Sequence, residues 1–314
     1  MMPAMGNSLY EKIYRAFGGD IARADFSACD KAREHLDSLK PYAEDERDGF
    51  ESYNEAFLVR FAYESNAIEG STLSLGDTAL VLEGEFPPSS DKSLRDVFAA
   101  KGCADGFYYA EQQLETDRSI DEGLIKDIHE RTALDCQPRT RGTYRNSPAY
   151  IRGSLTSPAD AIDIRDLMKA LLYAYDSSTA HPVAKAAAFH AMFENIHPFA
   201  DGNGRTGRLL MNFMLEKEGY PPIAIKHDAK GGYKKALEDW QVRGNPKSFL
   251  EIVEKCVLAE TNERIAIVEK TREAVRARQN SIDSETREAE RARDAVYGEA
   301  DGTLSRRSRD LQEL

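Results

Sequence analysis

Apolar residues recur every three or four positions along most of the chain, a spacing that predicts helices rather than strands. The clearest segments are Val183 to Ile196 and Arg205 to Glu218, and Pro198 and Gly219 follow them at positions typical of helix ends. Similar spacing predicts further helices at about 7–16, 26–40, 53–70, 91–115, 119–134, 160–175, 233–241 and 246–257. The pattern therefore predicts an all-α fold.

One segment departs from this spacing. Between Pro138 and Pro158 the chain mixes Gly, Pro, Thr and Tyr in the run PRTRGTYRNSPAYIRGSLTSP. Such a composition indicates a short β-hairpin rather than another helix. We expect the hairpin at about 141–157, with Tyr144, Arg145 and Ile151 around its turn.

Charged residues dominate from Leu258 onward. Apolar side chains recur there at every seventh position, but the companion heptad position is polar, so the apolar seam is weak. The apolar positions are 268, 275, 282, 289 and 296. We expect a long solvated helix. Its weak apolar seam is compatible with a homodimer. The chain is accordingly divided into an N-terminal helical region (1–115), a core (116–257) and a charged extension (258–314).

The composition is that of a soluble globular protein, with 31% charged and 41% hydrophobic residues among 314. The formal net charge of −12 argues against general nucleic-acid binding, because neutralising phosphates requires clustered Lys and Arg. No apolar run reaches membrane-spanning length, and the N-terminus lacks the pattern of a secretory signal. The four cysteines form no C-x-x-C pair, which favours reduced thiols and a cytoplasmic location.

Residues 197–208 (HPFADGNGRTGR) lie between the two best-predicted helices and combine a base, a carboxylate, three glycines and two arginines. Free N–H groups at the start of the second helix, with Gly202 and Gly204, allow an anion to approach the backbone closely. Arg205 and Arg208 lie three positions apart, so both guanidinium groups can face the same oxyanions. The stretch therefore predicts a polyphosphate-binding loop.

Two further residues of this loop point to chemistry. Asp201 offers the oxygen ligand that Mg²⁺ prefers, and His197 can accept a proton near neutral pH. A dinucleotide-binding glycine pattern is excluded because a helix rather than a strand precedes it, and a Walker A motif is excluded because its Lys is absent. A transition-metal site at His190, Glu194 and His197 is disfavoured, because His197 lies past the end of the helix that carries the other two.

This loop resembles the Fic (filamentation induced by cAMP) family of protein adenylyltransferases, whose motif is H-x-F-x-[D/E]-G-N-G-R-x-x-R. Every fixed position matches: His197, Phe199, Asp201, Gly202, Asn203, Gly204, Arg205 and Arg208. The resemblance implies a helical bundle with a β-hairpin flap, and transfer of AMP from ATP to a Ser, Thr or Tyr hydroxyl of a protein. It also implies that His197 is the catalytic base, that Asp201 holds Mg²⁺, and that Asn203 and the glycine N–H groups stabilise phosphate charge.

Three other features follow from the same resemblance. Ser65, Glu69 and Gly70 match the family's inhibitory motif [S/T]-x-x-x-E-[G/N], placed in a helix before the core at about 53–70. A carboxylate there can pair bidentately with Arg208 and take the fork that would hold the γ-phosphate. The flap is expected to bind a protein target by strand addition. Tyr233 occupies one of two positions where the family often places adjacent tyrosines near the adenine.

Three alternatives remain open at this point. The same residues could remove AMP from a modified protein, with Glu69 activating water. They could instead transfer another phosphate-linked group, such as UMP or phosphocholine. The chain could also be a nucleotide-sensing regulator with little catalytic power, whose C-terminal helix is an interaction surface. Intact His197 and Asp201 count against the last alternative, because a sensor needs no base.

Overall fold

The computed structural model describes residues 8–19, 21–87, 93–151, 153–227 and 230–310. Over these residues the chain forms eleven α-helices and two short 3-10 helices and no β-strand, which confirms the predicted all-α class. The α-helices are α1 (Leu9–Ala16), α2 (Ser27–Ser38), α3 (Glu44–Glu69), α4 (Leu75–Leu82), α5 (Leu94–Glu115), α6 (Glu122–Thr132), α7 (Ile164–Ser177), α8 (Pro182–Ile196), α9 (Asn203–Lys217), α10 (Lys230–Arg243) and α11 (Lys247–Asp310).

Helices α8 and α9 form the centre of the molecule. Both are buried along nearly their whole length, although α9 also buries polar side chains such as Arg205, Arg208 and Asn212. Helices α3, α5 and α6 pack against α9, and α7, α10 and α11 pack against α8. The two central helices approach closely at Gly207, where an added Cβ would lie 2.8 Å from Nδ1 of His190. The loop between α8 and α9 is therefore held by the best-packed part of the core.

Helix α3 begins at Glu44, earlier than the expected start near 53. Its first turn carries three consecutive acidic residues, which interact favourably with the positive end of the helix dipole. The carboxylate of Glu46 also accepts a hydrogen bond of 2.9 Å from the N–H of Ala43. At the other end the helix stops at Glu69, and Gly70 follows at φ 100°, a conformation that favours glycine. This end of α3 brings Glu69 against α9.

Helix α11 continues without a break through position 258. Val253, Val257 and Val268 are buried in its first part, and Nε of Arg272 donates to a Glu46 oxygen at 2.6 Å. Side chains from 273 to 293 are exposed, so the solvated part of this helix begins later than predicted. The boundary at 258 stays a prediction. None of the described helices has the length and apolar composition needed to cross a bilayer.

The predicted β-hairpin at about 141–157 is not observed, because the described residues of this segment form no strand. Main-chain groups in and next to this segment bond to the end of α8 and to the loop after it, while bonds within the segment are short-range, such as that from the N–H of Ser154 to the carbonyl of Ile151 at 3.2 Å. The N–H of Arg145 donates to the carbonyl of Pro198 at 2.9 Å, and the N–H of Ala159 donates to the carbonyl of Ile196 at 3.3 Å. The segment is therefore an irregular loop packed along the end of α8.

Candidate active site

The loop between α8 and α9 is shaped by two left-handed residues and one amide side chain. His197 ends α8 with φ 53°, and Gly202 precedes α9 with φ 76°. The side chain of Asn203 accepts from the N–H of Phe199 and donates to its carbonyl, both at 2.9 Å. In this structure the Asn203 amide thus stabilises the loop, a role different from the phosphate contact that the resemblance implied.

A cavity of about 590 Å³ opens above this loop. Its volume falls within the range of small-molecule and cofactor sites. Most of the residues singled out from the sequence line it: Glu69, Gly70, Ile151, His197, Asp201, Gly202, Asn203, Gly204, Arg205, Arg208 and Tyr233. Glu194 and Lys234 line it as well, although no motif marked them. The main-chain groups at the start of α9 face this cavity, in the position from which they can bind an anion.

Arg208 is almost fully buried and contacts the end of α3. Its Nη2 donates to Oε1 of Glu69 at 2.8 Å and to the carbonyl of Ser65 at 2.9 Å, while Nε donates to Oγ of Ser65 at 2.8 Å. The expected contact between Glu69 and Arg208 is therefore present. The expected bidentate form is wrong, because one carboxylate oxygen bonds to the guanidinium, whose other donors contact Ser65 and the hydroxyl of Tyr233.

Glu69 reaches Arg208 because α9 has a glycine at the point of contact. A Cβ on Gly204 would lie 2.2 Å from Oε1 of Glu69, so any other residue there would push the carboxylate away. Burial would raise the pKa of Glu69, but the charge and hydrogen bond of Arg208 outweigh it and leave the pKa below its usual value. Glu69 is therefore ionised at neutral pH, with 42% of its side chain exposed to the cavity.

Arg205 also lines the cavity, but it pairs with Asp135 rather than with Glu69. Its Nη1 and Nη2 donate to the two carboxylate oxygens at 2.7 and 3.1 Å, and both side chains are at most 4% exposed. Asp135 also accepts from Nε of Arg95 at 3.3 Å, and Nη2 of Arg95 hydrogen bonds to Asp201. Two carboxylates and two guanidinium groups thus form one chain beside the cavity. Neither Asp135 nor Arg95 belongs to a motif that the sequence displays.

His129 on α6 supports the loop from below. Its ring stacks on Phe199 with centroids 3.6 Å apart. The N–H of Gly142 donates to Nδ1 at 2.9 Å, so the ring proton must sit on Nε2, which donates to the carbonyl of Asp201 at 3.0 Å. Burial is the main cause that lowers the pKa of His129, to about 4. The neutral imidazole is the form that fits this position.

This arrangement predicts an acid-sensitive fold. The unfolded chain binds a proton at His129 near pH 6.5, whereas the folded chain resists it down to about pH 4, so stability falls as the pH drops through this window. The loss attributable to His129 should approach ~3 kcal/mol at pH 4. Urea unfolding at pH 7, 5.5 and 4.5 should show a smaller decrease for His129→Gln, which can keep both hydrogen bonds. Parallel pH profiles in the two proteins would contradict the assignment.

His197 is half-buried at the wall of the cavity. Burial lowers the pKa of its imidazole, and the carbonyl of Glu194 partly opposes this effect. The side chain is therefore neutral at pH 7 and able to accept a proton. Burial also raises the pKa of the Glu194 carboxyl, to about 8, and the nearby charge of Glu69 adds to the increase. One neutral base and one neutral acid thus line the same cavity.

Tyr233 is only 2% exposed, and its hydroxyl contacts Nε2 of His190 at 2.7 Å and Nη1 of Arg208 at 3.3 Å. His190 is fully buried, consistent with a structural role. Among the residues that the structure describes, the group of three that could hold a metal ion is Asp135, Cys136 and Asp201, not the His190 set.

The three residues expected to contact a target have different positions. The guanidinium of Arg145 is buried and donates to the carbonyls of His197 at 2.8 Å and Ser147 at 2.7 Å. Tyr144 packs on Phe199 with ring centroids 5.2 Å apart. Both side chains therefore stabilise the loop in this structure, whereas Ile151 faces the cavity.

The fold and the loop define a helical domain with a glycine-rich turn between its two central helices. Residues 119–215 match the model of the Fic/DOC family. This segment of the chain therefore belongs to the Fic/DOC family. Curated relatives named protein adenylyltransferase Fic share 32% identity over 62% of the chain in Nematostella vectensis and 31% over 74% in Culex quinquefasciatus. The chain spans 45% of the length of each of these relatives.

Solved structures agree with this fold. A Fic domain containing signaling protein from Bacteroides thetaiotaomicron superposes with a TM-score of 0.68 at 28% identity, over 77% of this chain and 98% of that one. A fragment of Fic-1 from C. elegans superposes with a TM-score of 0.66 at 24% identity, over 78% of this chain and 73% of that one. The second likeness concerns the fold alone.

Proposed function

We propose that the chain is a protein adenylyltransferase that transfers AMP from ATP to a Ser, Thr or Tyr hydroxyl, and that Glu69 inhibits it. One observation carries the proposal: the contact between Glu69 and Arg208 lies in the same cavity as His197 and Asp201. The names of the curated relatives support the same activity. The chain thus combines a base, an anion-binding turn and a restraint on that turn.

In the proposed reaction the target hydroxyl oxygen attacks the α-phosphorus of ATP. The bond from that phosphorus to the oxygen bridging to the β-phosphate breaks, and pyrophosphate leaves. His197 takes the hydroxyl proton, because its lowered pKa keeps the imidazole neutral at pH 7. N–H groups at the start of α9 stabilise the charge on the phosphates, and Arg208 holds the terminal phosphate once Glu69 has moved away.

Asp201 fits a Mg²⁺ ion carried by ATP. Its side chain is half exposed at the cavity, and Mg²⁺ is usually held by one or two carboxylates together with substrate phosphates. One Asp201 oxygen accepts from the N–H of Gly202 at 2.7 Å, and the other is paired with the flexible side chain of Arg95. Bound there, the ion would neutralise charge on the phosphate oxygens.

Replacing Glu69 by Gly tests the inhibition. AMP transfer should increase about tenfold or more, because the hydrogen bond that Arg208 would exchange for one to phosphate contributes ~1.5–3 kcal/mol. Intact-mass spectrometry after incubation with ATP and Mg²⁺ measures the AMP added to the protein itself. The control is Glu55→Gly, an exposed position on the same helix, since it places a glycine in the interior of α3, where the cost to the helix is at least as large, without touching Arg208. Equal modification of both variants would contradict the inhibitory role.

A target segment is proposed to bind beside Ile151. Tyr150 and Leu155 are 90% and 71% exposed next to it, and apolar side chains at this exposure favour contact with another chain. Glu238 of α10 supports the segment by accepting from the N–H of Leu155 at 2.8 Å. A target hydroxyl held there would lie at the mouth of the cavity that contains His197.

Removal of AMP is a second candidate activity of the same site. The carboxylate of Glu69 stays 42% exposed to the cavity despite its contact with Arg208, so a water molecule can reach it. Incubating an AMP-modified protein without ATP tests this activity. Release of AMP by the parent but not by a Glu69 variant would favour the hydrolase. Absence of release with both proteins would exclude it.

A further inference from the structure

Arg95 joins the two carboxylates beside the cavity. It lies in the first turn of α5, where its N–H donates to Oγ of the capping residue Ser93 at 3.1 Å. From there its side chain, 61% exposed, reaches Asp135 with Nε and Asp201 with Nη2. Because its backbone is fixed by the helix cap, this long side chain can change partners without moving the helix.

The contact with Asp201 occupies the oxygen that a cation would use. The other carboxylate oxygen of Asp201 already accepts from Gly202. A divalent cation on Asp201 would also lie beside the positive charge of Arg95, and the two like charges would repel each other. Arg95 and a cation therefore compete for the same carboxylate.

We propose that Arg95 is a second restraint on the active site, which lowers the affinity of Asp201 for the divalent cation that accompanies ATP. The inference rests on the proposed function, because it concerns the same site. For the cation to bind, Arg95 must break its contact with Asp201. Its contact with Asp135 can persist and hold the side chain nearby. Arg95 acts as a positioning residue, since it controls the cation through Asp201.

The restraints by Arg95 and Glu69 act on different residues of the site. Glu69 comes from the end of α3 and engages Arg208, whereas Arg95 comes from the start of α5 and engages Asp201. Both residues lie outside the 119–215 segment that matches the family model. The two contacts share no partner, so their effects on loading should be independent.

The test measures Mn²⁺ affinity, with Mn²⁺ in place of Mg²⁺, in the presence of a non-hydrolysable ATP analogue. All proteins carry Glu69→Gly, and electron paramagnetic resonance reports free Mn²⁺. Arg95→Ala should tighten Mn²⁺ binding about fivefold at low salt, as expected for loss of an exposed ion pair. The gain should shrink at high salt, because such pairs are screened. Lys101→Ala, on an exposed pair of the same helix, should change nothing.

Asp201→Asn separates this site from other Mn²⁺ sites, since it should remove both the binding and the effect of Arg95→Ala. Equal or weaker Mn²⁺ binding by Arg95→Ala would overturn the inference, and so would Mn²⁺ binding that never depends on Asp201. Tighter Mn²⁺ binding without AMP transfer would refute the proposed activity alone. Transfer with unchanged Mn²⁺ affinity would refute the Arg95 inference alone.

Discussion

The His197→Ala protein should transfer AMP about 10² to 10⁴ times more slowly than its parent when both carry Glu69→Gly, as expected for loss of a general base. The imidazole lines the cavity, and its lowered pKa keeps it neutral at pH 7. Because that pKa lies below the ordinary histidine range, the rate of the parent should hold through this range and fall only at more acidic pH. Initial rates with ATP labelled at the α-phosphate measure both effects.

Two variants separate chemistry from folding in this experiment. His197 has φ 53°, a conformation that Asn tolerates better than most residues, so His197→Asn should keep the loop and still lose the base. The control His35→Ala removes an exposed imidazole on α2 and should leave the rate unchanged. The affinity for the ATP analogue should change little in the His197 variants. A transfer rate within a few fold of the parent would place the base elsewhere.

The loop from 197 to 208 was predictable because its requirements are local. Gly202 must take a positive φ, and Asn203 bonds to the main chain of Phe199 four residues earlier, so consecutive residues determine the geometry of the loop. The contact of Glu69 with Arg208 joins positions 139 apart, and it was predictable only through a second motif. Its detailed form was not, because Ser65 competes for the same guanidinium donors.

The irregular structure of the segment 141–157 was not predictable from its composition. Gly, Pro, Thr and Tyr favour extended backbone, but they do not specify which segment the extended backbone will pair with. Here Arg145 donates to carbonyls at the end of α8, and that tertiary contact replaces a hairpin. For the same reason the sequence does not reveal the contacts of His129 with Asp201, of Asp135 with Arg205 and of Arg95 with Asp135, which join positions 40 or more apart and follow no spacing rule.

Asp135→Ala should destabilise the fold by about 3–5 kcal/mol, because it leaves the guanidinium of Arg205 buried without a counter-ion. Both side chains of this pair are at most 4% exposed, and two parallel hydrogen bonds join them. The other hydrogen bond of Arg205, to the carbonyl of Thr132 at 3.5 Å, is too long to compensate. Urea unfolding at pH 7 measures the loss. The exposed control Asp105→Ala should stay within ~0.5 kcal/mol of the parent.

A double variant shows whether the cost comes from the unpaired charge or from lost packing. Asp135→Leu combined with Arg205→Met removes both charges and should recover most of the stability, since replacing a buried pair by apolar side chains is often neutral. If Asp135→Ala alone costs less than ~1 kcal/mol, Arg205 has found water or another acceptor. In that case Arg205 does not depend on Asp135, and its predicted contact with phosphate in the cavity gains support over a structural role.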